Sequence, residues 1–215
     1  MAKLPLGVDI NNLIEDLINF SWEASEILLY YSRILKDSEH KNDLIKLKDN
    51  KDPVTLADIK VNELIIQRIN NAYKNCEWDI LSEESSMPNR SFSKEIKKWL
   101  WILDPLDGTK DFIQGTGNYA MHLALNYNHK PYLGVVLIPE KDELWISNGK
   151  KVWCERSDGS HKVILETVRK ELNDMTVVLS KNHRNSDLEN LIKKIKFKNV
   201  KSMGSIGCKI ASLIR

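Results

Sequence analysis

The sequence predicts a layered α+β arrangement that passes into α/β, and three observations carry it. Two long stretches with apolar residues at helical spacing come first, a run of short apolar or alternating segments follows, and the last quarter alternates strand-like with helix-like pieces. No repeat, low-complexity tract or Pro/Gly/Ser-rich linker interrupts that order. At 215 residues, 42% hydrophobic and 29% charged, the chain can bury a sizeable core.

Asp9 is placed to cap a helix running to about Lys36, with Leu13, Leu17, Ile18, Ser21, Ala24, Ile27, Leu28, Tyr31, Ile34 and Leu35 on one face. Glu15, Asp16, Glu23 and Glu26 occupy the other face. A polar stretch to Lys51 follows, then a second helix from about Thr55 to Asn75 with Ala57, Val61, Leu64, Ile65 and Ile69 as its stripe. Strands are expected at Trp78 to Leu81, Trp99 to Leu103, Tyr119 to Tyr127 and Tyr132 to Ile138, the third showing Met121, Leu123 and Leu125 in alternation. Pro105 with Gly108 is expected to turn the chain at the end of the second of these. Shorter strands are expected at Glu143 to Ser147, Val152 to Cys154, Val163 to Leu165 and Met175 to Ser180. A helix at about Leu188 to Ile195, a strand near Val200 and a helix from Ser205 complete the order.

Composition narrows the function classes. No apolar run approaches the roughly 18 residues needed to span a bilayer, and the N-terminus lacks a basic region followed by an apolar one. No membrane association and a cytoplasmic location are therefore expected. Cys76, Cys154 and Cys208 are odd in number and widely spaced, which argues against a disulfide frame or a zinc site. The net charge of +2 hides an asymmetry: residues 181–209 carry eight Lys or Arg against Asp187 and Glu189, a local +6, leaving −4 elsewhere. Solvated helix lysines explain this; so does attraction of a polyanionic substrate to an otherwise acidic site. Nucleic acid is not expected as a partner, because beyond Phe197 no aromatic residue interleaves with those lysines.

Three acidic motifs stand at element ends. Asp52-Pro53-Val54-Thr55-Leu56-Ala57-Asp58 opens the second helix, Leu81-Ser82-Glu83-Glu84-Ser85 closes the first strand, and Asp104-Pro105-Leu106-Asp107-Gly108-Thr109 closes the next. Singly, each is explained by a capped helix, a polar turn or a Pro-Asp-Gly turn. Together, without His or Cys, they point to a hard cation such as Mg²⁺ and hence to phosphate chemistry. Asp104 and Asp107 can converge on one cation. Thr109, with Asp58 as its partner, is placed to orient and deprotonate a water, and the helix start after Gly108 offers N–H groups to phosphate.

These three segments, with Trp101-Ile-Leu-Asp-Pro-Leu-Asp-Gly-Thr-Lys-Asp-Phe112 as the longest, resemble the signature segments of the inositol monophosphatase superfamily, in the same order. The resemblance implies a layered αβαβα sugar-phosphatase fold and a Mg²⁺-dependent, lithium-sensitive phosphatase. It implies that Glu83, Asp104, the Leu106 carbonyl and Asp107 bind metal, and that Asp58 and Thr109 handle the water, with Asp58 also near a further ion, giving two or three Mg²⁺. The Lys110-Asp111-Phe112 continuation, Leu179-Ser180-Lys181-Asn182-His183 and Gly204-Ser205-Ile206-Gly207-Cys208-Lys209 resemble the 3'(2'),5'-bisphosphate nucleotidase branch, the CysQ type. By that resemblance Asp107, Gly108, Thr109, Ser180, His183, Ser205 and Lys209 contact the substrate, a small phosphorylated nucleotide. The alternatives are an inositol 1-phosphate or fructose 1,6-bisphosphate phosphatase, or a non-catalytic metal- or nucleotide-binding remnant. Residues 1–155 are expected to form an α+β half with the metal site, and 156–215 a partial α/β half with the nucleotide segments, in a monomer or homodimer. The family carries a further metal-binding Asp in a Trp-Asp segment well beyond the Gly-rich turn. No Trp follows Trp153 before the chain ends at Arg215, so a fragment, or a shortened protein with an impaired second metal site, is expected.

Overall fold

A computed structural model describes residues 3–37, 45–47, 53–85, 97–164, 171–181 and 185–215. Helix α1 (Ile10–Asp37) starts where Asp9 Oδ1 accepts the N–H groups of Asn11 and Asn12, at 2.8 and 3.1 Å. A small hairpin pairs β1 (Ile45–Leu47) with β2 (Pro53–Thr55), and α2 (Leu56–Ala72) follows directly with Thr55 as its cap. The hairpin was not expected: three-residue strands inside a polar stretch give no alternation to detect.

The main sheet has seven strands in chain order: β3 (Trp78–Ser82), β4 (Trp99–Asp107), β5 (Ala120–Tyr127), β6 (Lys130–Ile138), β7 (Glu143–Ser147), β8 (Val152–Glu155) and β9 (His161–Ile164). Only β3 and β4 in it run parallel; the other neighbours are antiparallel. A five-residue helix α3 (Thr109–Ile113) follows β4. Beyond the sheet come β10 (Thr176–Ser180), α4 (Ser186–Ile195), β11 (Asn199–Met203) and α5 (Ile206–Ile214), with β10 and β11 forming a separate parallel pair. Glu155, where the first expected half ends, is the last residue of β8.

One correction concerns β4. The strand does not turn at Leu103; it continues to Asp107 through a register shift between Asp104 and Asp107. Pro105 has no N–H to give to a ladder, and it sits in that irregularity, where none is required.

Layering follows from which faces are apolar. Leu13, Leu17, Ala24, Leu28 and Leu35 of α1 and Ala57, Val61, Ile65 and Ile69 of α2 pack with Trp101, Leu103, Met121, Leu123, Leu125, Val135 and Leu137 on one face of the sheet. On the other face Ala120, Ile138, Trp145 and Cys154 pack with Cys208 and Ala211 of α5. Helix α5 lies between β5 and β6 on one side and the β10–β11 pair on the other. The sequence of layers is therefore α1/α2, sheet, α5, second sheet, as the α+β-to-α/β reading anticipated. Among the described residues no helix is long and apolar enough to cross a membrane.

Candidate active site

Parallel pairing of β3 with β4 sets Ser82 opposite Leu103, so Glu83 and Asp104 leave the same end of the sheet side by side. Glu83 opens a short 3-10 turn (Glu83–Ser85) and is exposed, whereas Asp104 is half-buried. Asp104 Oδ1 accepts the Leu106 N–H at 3.1 Å, which folds the bulge back on itself. Burial, then the charges of Glu83 and Asp107, push the Asp104 carboxyl up to about 6, against the pull of His122.

Asp107 is held differently. Its Oδ2 accepts the Ser205 hydroxyl at 2.5 Å and the Gly207 N–H at 3.0 Å, both from the start of α5, and lies 3.3 Å from His122 Nε2. Burial alone would raise its pKa; His122 and Ser205 outweigh it, and the carboxyl ends below the ordinary value. The His122 nitrogen is buried and out of line for a hydrogen bond to that oxygen. Gly108, at φ 87°, is the left-handed residue that ends β4, and a Cβ there would stand 3.1 Å from the Ser205 Cβ. The carboxylate turn and the α5 N-terminus are thus in direct contact. A Cβ at Gly207 would collide with His122 and come within 2.9 Å of Val136, so the α5 backbone approaches β5 and β6 only because residue 207 has no side chain.

Asp58, one turn into α2, is 3% exposed and its Oδ2 accepts both the Thr55 N–H, at 2.7 Å, and the Thr55 hydroxyl, at 2.6 Å. Burial, aided by the charge of Glu84 and opposed by the Thr55 bonds, raises its pKa to about 7. Thr109 donates its hydroxyl to the Leu106 carbonyl at 3.1 Å, so Asp58 and Thr109 each have a partner other than one another. Helix α3, which carries Thr109, packs against β2, which ends in Thr55.

On the other side of α5, Ser180 ends β10 in register with Met203 of β11, and the Ser205 cap follows two residues on. Ser205 accepts the Cys208 N–H while donating to Asp107, and Lys209 lies half-buried one turn further. Asp52 and His183 lie outside the described residues. His122 and Gly207 carried no expectation. His122 reads as an outward position beside Met121 and Leu123, and only the pairing register sets it opposite Asp104.

The donors at the sheet end are carboxylate and carbonyl oxygens, which suit a hard divalent cation. Among the described residues no three His, Cys, Asp or Glu side chains enclose an ion by themselves.

A curated relative, the 3'(2'),5'-bisphosphate nucleotidase CysQ of Buchnera aphidicola subsp. Acyrthosiphon pisum, is 31% identical over 164 residues, 75% of this chain and 58% of that protein. The chain therefore spans less than two thirds of that relative's length. The fold is similar to that of the extragenic suppressor protein suhB from Bartonella henselae, at a TM-score of 0.73 and 21% identity over 94% of this chain and 74% of that one. It is also similar to an IMPase/NADP phosphatase solved with Mg²⁺ and phosphate, at a TM-score of 0.68 and 22% identity over 92% and 69%. The model of the inositol monophosphatase family matches residues 9–215, and the chain belongs to that family.

Proposed function

We propose that this chain carries the site of a Mg²⁺-dependent phosphomonoesterase that removes the 3'-phosphate of adenosine 3',5'-bisphosphate, with 3'-phosphoadenylyl sulfate as a second substrate. The observation that carries the reading is that Glu83 and Asp104 leave neighbouring parallel strands at one sheet end, while Asp107, three residues on, is bonded to the first turn of α5. The nucleotidase relative supports the choice of substrate, and the Mg²⁺- and phosphate-bound neighbour supports the choice of ion.

Glu83, Asp104, Asp107 and the Leu106 carbonyl would hold the ions, with Asp58 beside a further one. Bound there, Mg²⁺ supplies charge neutralisation at phosphate oxygens and a lowered pKa for the attacking water. The Thr109 hydroxyl and the Asp58 carboxylate orient that water, and Asp58 takes its proton. Gly108 and Thr109 line the phosphate side. Ser180, His183, Ser205 and Lys209 would hold the nucleotide and its second phosphate; of these Ser180 ends β10, and Ser205 follows the parallel strand β11. The basic segment around them attracts a polyanion. A cytoplasmic location accompanies this reading, with Cys76, Cys154 and Cys208 all unpaired.

The test is phosphate release with Mg²⁺ from adenosine 3',5'-bisphosphate, inositol 1-phosphate and fructose 1,6-bisphosphate in parallel. The bisphosphate nucleotide should be preferred; preference for either of the others overturns the substrate assignment. Calorimetric binding of Mg²⁺ and nucleotide without any turnover would mean a non-catalytic binding protein.

A further inference from the structure

Two segments of the nucleotidase-like pattern, residues 110–112 on α3 and 179–181 at the end of β10, meet through one side chain. Lys181 Nζ is 3.4 Å from Asp111 Oδ1 and 2.7 Å from Gln114 Oε1. Asp111 is only 1% exposed and stands on α3 two residues after Thr109. Its Oδ1 also accepts the Thr116 hydroxyl at 2.6 Å, while Oδ2 is buried with no hydrogen-bond partner.

A carboxylate withdrawn from water to this degree is costly unless a cation offsets it. The Thr116 bond needs only an amide oxygen, so it does not account for a charge at this position. Lys181 does. It sits one residue beyond Ser180, and its own N–H is bonded to the Met203 carbonyl of β11 at 3.1 Å. Among the described residues the main sheet and the β10–β11 pair share no backbone ladder, so how one sits on the other depends on the packing of α5 between them and on side-chain bonds such as this one.

We propose that Asp111 and Lys181 form a positioning pair that fixes the distance from the phosphate-cleaving turn to the segment holding the second phosphate. The pair thereby selects substrates carrying two phosphates over monophosphates. The inference rests on the nucleotidase reading of the site. It also gives a physical reason for an acidic residue after Lys110: the acid on α3 and the base after β10 belong to one contact.

The experiment measures kcat and KM for adenosine 3',5'-bisphosphate and inositol 1-phosphate with Mg²⁺, using the full chain and its D111N, K181M, K181R and D111N/K181M variants. Calorimetric binding of the bisphosphate and thermal unfolding are recorded alongside. D111N and K181M should each raise KM and Kd for the bisphosphate about tenfold, leaving kcat and the monophosphate KM within about twofold. The double variant should be no worse than either single one, and K181R should keep wild-type selectivity. Unchanged selectivity in K181M overturns the proposal. Equal losses on both substrates also overturn it, since they mean a structural role. So does a K181M loss far exceeding that of D111N, which would mean that Lys181 touches the substrate itself. Should D111N fold poorly, K181M decides alone, because the Lys181 side chain is 39% exposed. A wild-type chain with no preference for the bisphosphate fails the nucleotidase reading, and this inference falls with it.

Discussion

The two sides of α5 are built differently. Toward the seven-stranded sheet it packs on the buried Ala120, Ile138, Trp145 and Cys154, and behind them, on the other face of the sheet, lies a core in which Trp101, Met121 and Leu137 are fully buried. Toward β10 and β11 the packing is thin: α4 has no buried residue, and Leu191, Val200, Ile206, Ile210 and Leu213 are 49–67% exposed. The carboxylates Asp104, Asp107 and Asp58 stand on elements embedded in the thick core. Ser180 and Lys209 stand on elements of the thin one. A site that must hold several buried carboxylates close together needs a rigid support, because burial, and after it the neighbouring carboxylates, raises the Asp104 and Asp58 pKa values and favours relaxation of the groups toward water and away from one another. Among the described residues, side-chain bonds that hold the substrate-facing side to that support include Asp107 to Ser205 and Gly207, Lys181 to Asp111 and Gln114, and the buried Glu143 to Arg215 at 2.6 Å.

Stability measurements can break this contrast. Trp101→Ala, in the thick core, should cost about 3–5 kcal/mol in denaturant unfolding. A cost near that of a surface change would mean that the sheet face is not packed as described. Gly207→Ala drives a methyl group into His122 and should cost about 1–3 kcal/mol, lowering the thermal midpoint by about 2–4 °C per kcal/mol. Adding His122→Ala should recover part of that loss, and a strictly additive pair would refute the close approach of α5 to β5.

Glu140 tests the thick side by pH. Burial would raise its pKa, but Lys36, Ser32 and Tyr119, all bonded to Oε1, outweigh it and hold the carboxyl below its ordinary value of 4.5. A folded-state pKa below the unfolded one means stabilisation present above pH 4.5 and lost as the pH falls through the folded value. Glu140→Gln should therefore destabilise by about 1 kcal/mol at pH 7. The difference from wild type should shrink below pH 4.5, and a gap that widens in acid would contradict the assignment. Leu213→Ala, on the thin side and 67% exposed, should change stability by less than about 0.5 kcal/mol. A loss of 2 kcal/mol or more would show that α5 is covered there.

Much of the thick side was legible in the sequence, because its signals are local. Asp9, Thr55 and Ser205 stand at the helix starts they mark, the stripes of α1 and α2 are the buried ones, and Met121, Leu123 and Leu125 alternate as β5 requires. What escaped depends on pairing. The punctuation of Pro105 and Gly108 suggested an early end to β4, while the ladder to β5 carries it to Asp107 across a bulge. His122 became part of the site through the register that sets it opposite Asp104, and no residue near it in sequence announces that register. Gly207 looked like one glycine of a turn; its role lies in the two strands and the histidine it approaches.

The central claim is that the turn from Asp104 to Thr109, clamped against α5, is a metal-dependent phosphatase site. Phosphate release from adenosine 3',5'-bisphosphate in saturating Mg²⁺, compared between the wild-type chain and Asp107→Asn, tests it most directly. The account predicts a loss of at least about 1,000-fold in kcat; an Asp107→Asn variant as active as wild type would contradict it.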